Sequence, residues 1–339
     1  MLAAFTCFTV LVLALVALDL GVLHRKAHAP TIKESLAFTA LWVGVGLAFA
    51  GAVYLAYELH AFDLGREVDQ LSGHPPRDVG GGEAAVLYLT GYALEKALAL
   101  DNLFVMLFVF RAMKVDERYQ HRVLFWGILG ALVLRGAMIA VGAAMVHRFE
   151  WILYVFGALL VWSGFKLMRP KKHDDGDDDE LPPIVRFVHR FVPVDPERRE
   201  GFLVRTDSGW AVTPSLLALV SIELADVVFA IDSIPAIFAV TLDPFLVLTS
   251  NVLAVLGLRS LYFVLAAAAD QLVYLGKALA VVLVFVGGKM IALFWDAHIP
   301  AAFSLSFIAL TMTIGVVASL RSARRVAPEP ELEDSIDPR

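Results

Sequence analysis

Long apolar runs separated by short polar stretches form the main pattern of the 339-residue chain. A run of about 20 mainly apolar residues is long enough for a helix to cross a bilayer. The pattern predicts nine such helices, at residues 4–23, 36–57, 84–110, 123–146, 151–168, 212–240, 245–267, 276–294 and 302–320. The predicted fold class is therefore an all-α, polytopic membrane protein. A cleaved signal peptide is the less favoured interpretation of the first run.

Composition supports the same class. Hydrophobic residues make up 59% of the chain, against about 45–50% in a typical soluble domain, so a soluble enzyme is excluded. The single cysteine, Cys7, excludes an internal disulfide and a thiolate metal cluster. We expect one transmembrane domain over residues 1–325, containing a cytoplasmic loop at 169–210. A disordered cytoplasmic tail is expected at 326–339.

Basic residues indicate which side of the membrane each loop faces. They concentrate after the first, third, fifth and ninth predicted helices, and they are sparse in the other loops. The basic residues of the rich loops are Arg25, Lys26, Lys33, Arg111, Lys114, Arg118, Arg122, Arg169, Lys171, Lys172, Arg321, Arg324 and Arg325. Because cytoplasmic loops are enriched in Lys and Arg, we expect the N-terminus outside and the C-terminus in the cytoplasm. The expected location is the bacterial cytoplasmic (inner) membrane.

The predicted helices three to five resemble helices six to eight, in order. Residues 127–136 match 251–260 and residues 161–166 match 284–289, with a basic residue aligned in each pair. Each repeat contains three helices, which is an odd number. The second copy therefore starts on the opposite side of the membrane and crosses it in the opposite direction. The sequence thus predicts an inverted repeat, about 84–168 and 212–294. Transporters built this way bind substrate near the midplane, where the repeats meet.

Two acidic stretches begin these repeats, and each lies inside an apolar run. Each ionised carboxylate at the bilayer centre costs roughly 2.5 kcal/mol or more, so such residues commonly face a cavity, a partner or an ion. Oxygen ligands suit hard cations such as Mn²⁺, Mg²⁺ and Ca²⁺, and disfavour Zn²⁺ and Cu⁺. The predicted metal ligands are Glu95, Asp101, Asn102, Glu223, Asp226, Asp232 and Ser233.

Helical spacing predicts how these side chains are arranged. Residues seven apart share one face of a helix, so Glu95 lies above Asn102 and Asp226 lies above Ser233. The aspartates at 101 and 232 point about 100° away from those faces. A common site therefore requires a bend near each of them, and Pro235 is the candidate helix break in the sixth helix because it lacks a backbone donor.

Three basic residues are candidate counter-charges for the acids: Lys96, Arg135 and Arg259. Buried ion pairs alone are the alternative to a cation site. That alternative needs about one acid for each base, whereas five acids face three bases. The excess of negative charge favours a bound divalent cation, and carboxylates that also take up protons leave proton coupling open.

The stretches Glu95–Asn102 and Glu223–Ala236 resemble the TerC family of membrane proteins, and within it the Alx-type, pH-responsive subgroup. The resemblance covers roughly residues 36–321. It implies a role in manganese homeostasis as an exporter of Mn²⁺, and kinship with the LysE-type transporters. The family's acidic positions carry over to Glu95, Asp101, Glu223, Asp226 and Asp232. The sequence departs from the family pattern at one position, where it has Ala225 and the family usually has Thr.

The predicted function is export of Mn²⁺ from the cytoplasm by alternating access. The alternative is a membrane assembly factor acting in metal or tellurite resistance, or in metallation of exported proteins. An enzyme is not expected, because the Gly-x-Gly-Asp signature of intramembrane aspartyl proteases is missing around Asp101 and Asp232. The expected partners are a divalent cation and the lipid bilayer, with no prosthetic group and no nucleic acid. The sequence leaves a homo-oligomer open.

Overall fold

The computed structural model describes residues 1–19, 31–68, 75–113, 115–149, 151–168, 201–206, 209–268, 272, 274–295, 297 and 299–326. These residues form ten α-helices and one hairpin. The helices are α1 (Leu2–Leu18), α2 (Ile32–Glu58), α3 (Gly81–Ala112), α4 (Glu117–Arg148), α5 (Ile152–Met168), α6 (Pro214–Phe238), α7 (Pro244–Val255), α8 (Leu258–Ala268), α9 (Leu275–Ala292) and α10 (Ala301–Val326). The antiparallel hairpin, β1 (Leu203–Thr206) and β2 (Gly209–Val212), precedes α6.

Local sequence explains where several helices begin. Thr31 and Glu34 form a reciprocal capping box at the start of α2, which satisfies two backbone donors that a helix end leaves free. Asp243 caps α7 by accepting hydrogen bonds from the backbone of Phe245 (2.9 Å) and Leu246 (3.2 Å). The Tyr57 hydroxyl donates to the same carboxylate over 2.8 Å. This shared carboxylate fixes the end of α2 to the start of α7.

The predicted all-α polytopic fold is confirmed. The helices α2, α4, α6, α9 and α10 are each long and apolar enough to cross a membrane, and α7 with α8 forms a sixth candidate that bends by 49°. The apolar helices α1 and α5 are shorter, at 17 residues each. With 32 residues, α3 is long enough to cross a membrane, but it carries five charged side chains. Nine separate crossings stay a prediction.

Helix neighbours agree with the predicted repeat. The helices α3 and α6 pack against each other, and so do α5 and α9. In addition, α3 packs on α7 as α6 packs on α4. Exchanging α3 with α6, α4 with α7–α8, and α5 with α9 therefore maps the α3–α7 pair onto α6–α4 and maps each of the other two pairs onto itself. The opposed orientation of the two copies stays a prediction.

The interface between α5 and α9 depends on close approach of the two backbones. A Cβ at Gly287 of α9 would lie 2.6 Å from the Gly157 carbonyl oxygen and 2.8 Å from the Val161 nitrogen. A Cβ at Gly164 of α5 would lie 2.8 Å from the Ala280 carbonyl oxygen. Small residues at such contacts allow membrane helices to pack closely.

We expect Gly287→Ala to destabilise the protein by about 1–3 kcal/mol, because the added methyl group overlaps backbone that cannot move aside easily. The matched control is Gly288→Ala, one position along the same helix, where a Cβ meets nothing within 4 Å. Thermal unfolding of both variants in the same detergent measures the difference. Equal midpoints for the two variants would contradict the packing argument.

The predicted break at Pro235 is wrong. The helix α6 runs without interruption through Asp232 and Pro235 to Phe238, and α3 likewise continues past Asp101. Pro235 lies in the last turn of α6. The hydrogen bond lost with its backbone N–H is therefore one at the end of the helix, and the rest of α6 is not disrupted. The interruption falls instead in the seventh predicted span, between α7 and α8, where Gly257 adopts a φ of +82°.

Part of the predicted cytoplasmic loop and tail lies outside the described residues. Of the loop at 169–210, the structure describes the hairpin region, 201–206 and 209–210. Of the predicted disordered tail at 326–339, it describes Val326. These two domain boundaries therefore stay predictions.

Candidate cation site

One buried guanidinium joins the two repeats. Arg135 of α4 donates from Nη2 to Asp226 Oδ1 over 2.8 Å and from Nε to Asp226 Oδ2 over 3.2 Å. Its Nη1 forms an ion pair with Oε1 of Glu95 on α3. The Arg135, Glu95 and Asp226 side chains are 5% exposed or less. A carboxylate from the first helix of each repeat therefore meets the other at a single positive charge.

Asn102 completes the contacts of Asp226. Its Nδ2 donates to Asp226 Oδ1 over 3.4 Å, and its side chain is buried. Asn102 stands seven residues after Glu95, so both side chains leave the same face of α3. The seven-residue spacing predicts this shared face, and in the structure both residues reach the cluster around Asp226.

Two of the predicted ligand atoms of α6 have no hydrogen-bond partner in the described part of the chain. One is Oε2 of Glu223, and the other is Oγ of Ser233; both atoms are buried. The Glu223 carboxylate fills the space that a side chain at Gly130 of α4 would occupy. Unpaired buried acceptors are uncommon and call for a ligand, a water or an ion.

Asp232 contacts a different helix. Asp232 faces α5, where its Oδ1 accepts a hydrogen bond from Ser163 Oγ over 2.9 Å. Asp101 is half-buried on α3. Within the described residues, no three His, Cys, Asp or Glu side chains are placed together to hold a metal ion. In this structure the seven predicted ligands therefore do not form one cage.

Of the three predicted counter-charges, Arg135 pairs with acids of both stretches. Arg259 also pairs with an acid, but one outside the two stretches: its Nη2 donates to Asp19 Oδ2, at the C-terminal end of α1, over 2.9 Å. Lys96 binds a backbone carbonyl in the described part of the chain. Its Nζ donates to the Leu256 carbonyl over 3.3 Å, at the break between α7 and α8, because neighbouring residues on a helix point about 100° apart and Lys96 follows Glu95.

Sequence reasoning missed two residues of this region. Ser163 has no polar counterpart in the second repeat, since Val286 stands at the matching position, so the alignment of repeats gave it no weight. Gly130 lies in an apolar run that contains several small residues, and the sequence does not distinguish it from the others. The signal that could have found Gly130 is its position five residues before Arg135, on the helix that carries the counter-charge.

Apolar helices that surround carboxylates and a guanidinium define a multi-pass integral membrane protein with a charged site inside its helical bundle. A family model described as "Integral membrane protein TerC family" matches residues 80–327, which is well over half of the chain. The chain belongs to the TerC family. The predicted family resemblance is thereby confirmed.

Several named proteins are similar to this chain over most of its length. The "Uncharacterized membrane protein STKORF319" of Myxococcus xanthus is 42% identical over 94% of this chain and 92% of its own. The "Putative membrane-bound redox modulator Alx" of Escherichia coli K12 is 42% identical over 89% of each chain. The "Thylakoid membrane protein TERC, chloroplastic" of Arabidopsis thaliana is 39% identical over 89% of this chain and 72% of its own. No solved structure matches the chain.

Proposed function

We propose that the protein is a transporter that exports a hard divalent cation, Mn²⁺ foremost, from the cytoplasm by alternating access. The observation that carries this proposal is the meeting of Glu95 and Asp226 at one buried point. Ionisable side chains inside membrane proteins mark ion pathways and proton relays. In transporters with inverted repeats, the point where the repeats meet is the place where substrate binds.

The chemistry of the site supports a hard cation. The carboxylate and amide groups of Glu95, Asn102 and Asp226 meet at the cluster. On α6, the Glu223 carboxylate lies about one turn before Asp226, and the Ser233 hydroxyl lies about two turns after it on the same face. Oxygen ligands of this kind suit Mn²⁺, Mg²⁺ and Ca²⁺. The carboxylate of Asp232, which lies toward α5, offers a second oxygen position along α6. The Asp232 carboxylate can also bind a proton as the cation leaves, which gives a route to proton coupling.

Transport by the purified protein tests the proposal. Liposomes that contain the protein and an Mn²⁺-sensitive dye should show faster Mn²⁺ flux than empty liposomes. We expect Asp226→Asn to lower the initial rate at least about tenfold, which requires only 1.4 kcal/mol of lost stabilisation. The fold should survive, because Arg135 keeps its ion pair with Glu95.

The matched control is Asp63→Asn, which neutralises an exposed acid in the loop after α2 and should leave the rate unchanged. A wild-type rate from Asp226→Asn would contradict the proposed site. If the wild type moves Mn²⁺ no faster than empty liposomes do, the protein is not a transporter on its own. The role as an assembly factor would then be favoured.

A further inference from the structure

Arg135 occupies the lone pairs that a bound cation needs. Its guanidinium uses both carboxylate oxygens of Asp226 and one oxygen of Glu95. These two carboxylates come from the first helix of each repeat. A metal ion cannot bind between the two carboxylates while the guanidinium is there.

We infer that Arg135 is a tethered substitute for the transported cation, and that the guanidinium and the ion occupy the Glu95–Asp226 site in turn. The inference rests on the proposed function. Arginine stays protonated in proteins, so Arg135 has to move away rather than lose its charge. The next carboxylate along α6 is Glu223, which lies against Gly130 on the same helix as Arg135. Its partnerless Oε2 offers the displaced guanidinium an acceptor.

The substitution has a consequence for the transport cycle. An exporter must return to its starting conformation without substrate, and closing the membrane over two unpaired carboxylates is unfavourable. With Arg135 bound to both, the empty site is paired and the return step becomes easier. Net export therefore needs Arg135, but exchange of Mn²⁺ for Mn²⁺ does not, since that exchange uses only the loaded site.

The test compares purified wild type, Arg135→Gln and Arg135→Lys. Removing a competing internal ligand raises the fraction of sites able to bind, so the apparent Kd for Mn²⁺ should fall at least about tenfold in Arg135→Gln. Arg135→Lys keeps a positive charge but loses the bidentate contact with Asp226. Its Kd for Mn²⁺ should therefore lie between those of the wild type and of Arg135→Gln. In proteoliposomes, Arg135→Gln should lose net efflux and keep exchange of radiolabelled Mn²⁺ against unlabelled Mn²⁺.

The results separate this inference from the function on which it rests. If the wild type binds Mn²⁺ and neither variant binds it more tightly, the inference is overturned while the transporter survives. Equal loss of exchange and net efflux in Arg135→Gln also overturns it. If the wild type binds no Mn²⁺ at all, both the inference and the proposed function fail. Arg135→Lys keeps the test decisive should Arg135→Gln not fold.

Discussion

A protein that carries both Glu95→Gln and Asp226→Asn is expected to lose about 3–5 kcal/mol of stability, more than the two single substitutions lose together. After either single change, Arg135 keeps one carboxylate partner. After both, a guanidinium that is 3% exposed stays in the membrane interior without an acid from this pair. Effects of residues that share one partner are not additive.

Thermal unfolding in one detergent, followed by tryptophan fluorescence, measures these differences. Adding Arg135→Met to the double variant should recover most of the loss, because an apolar side chain of similar volume replaces a buried ion cluster at little cost. The matched control removes an exposed ion pair, Arg77 with Glu83, and should change stability by less than about 1 kcal/mol. Additive single effects, or a triple variant as unstable as the double, would refute the role assigned to Arg135.

The centre of the candidate site follows from sequence spacing. Glu95 and Asp226 occupy matching positions of the repeat, and Asn102 stands about two helical turns after Glu95. Charges that are costly in lipid and recur at matched positions have to be gathered inside the bundle. The structure places these three residues on or beside Arg135. Periodicity predicts this meeting because it depends only on regular helices.

The partners of Lys96 and Arg259 could not be predicted in this way. Lys96 reaches a carbonyl 160 residues along the chain, and Arg259 reaches Asp19 across 240 residues. Asp19 lies at the end of α1, outside both repeats, so the symmetry that aligns Arg259 with Arg135 says nothing about it. These contacts depend on the irregular turn between α7 and α8, which hydropathy does not reveal.

That turn also shows why Pro235 misled the prediction and Gly257 passed unnoticed. A proline near the end of a helix leaves little to disrupt. From sequence alone, a glycine within an apolar run has two equally good explanations. It can allow close packing, as Gly287 does, or it can adopt a left-handed backbone conformation, as Gly257 does. The tertiary neighbour decides between the two roles, and for Gly257 that neighbour is Trp42 of α2.

Gly257→Ala is accordingly expected to destabilise the protein by about 2–5 kcal/mol, the sum of a left-handed backbone penalty and of overpacking. The φ of +82° is one that alanine adopts only with strain. A Cβ would also lie 2.5 Å from Cβ and from Cγ of the buried Trp42 side chain. Thermal unfolding against Gly276→Ala, where a Cβ meets nothing within 4 Å, measures the effect.

The two causes separate in a Trp42→Ala background. There the overlap is gone, so Gly257→Ala should cost only the backbone penalty of about 1–2 kcal/mol. If Gly257→Ala lowers the stability by the same amount in that background, the whole effect comes from the backbone. If it lowers the stability in neither background, α7 and α8 do not need the left-handed turn. Because Leu256 supplies the carbonyl that Lys96 binds, a lost turn should also release Lys96, which links the bend in the seventh span to the central helix α3.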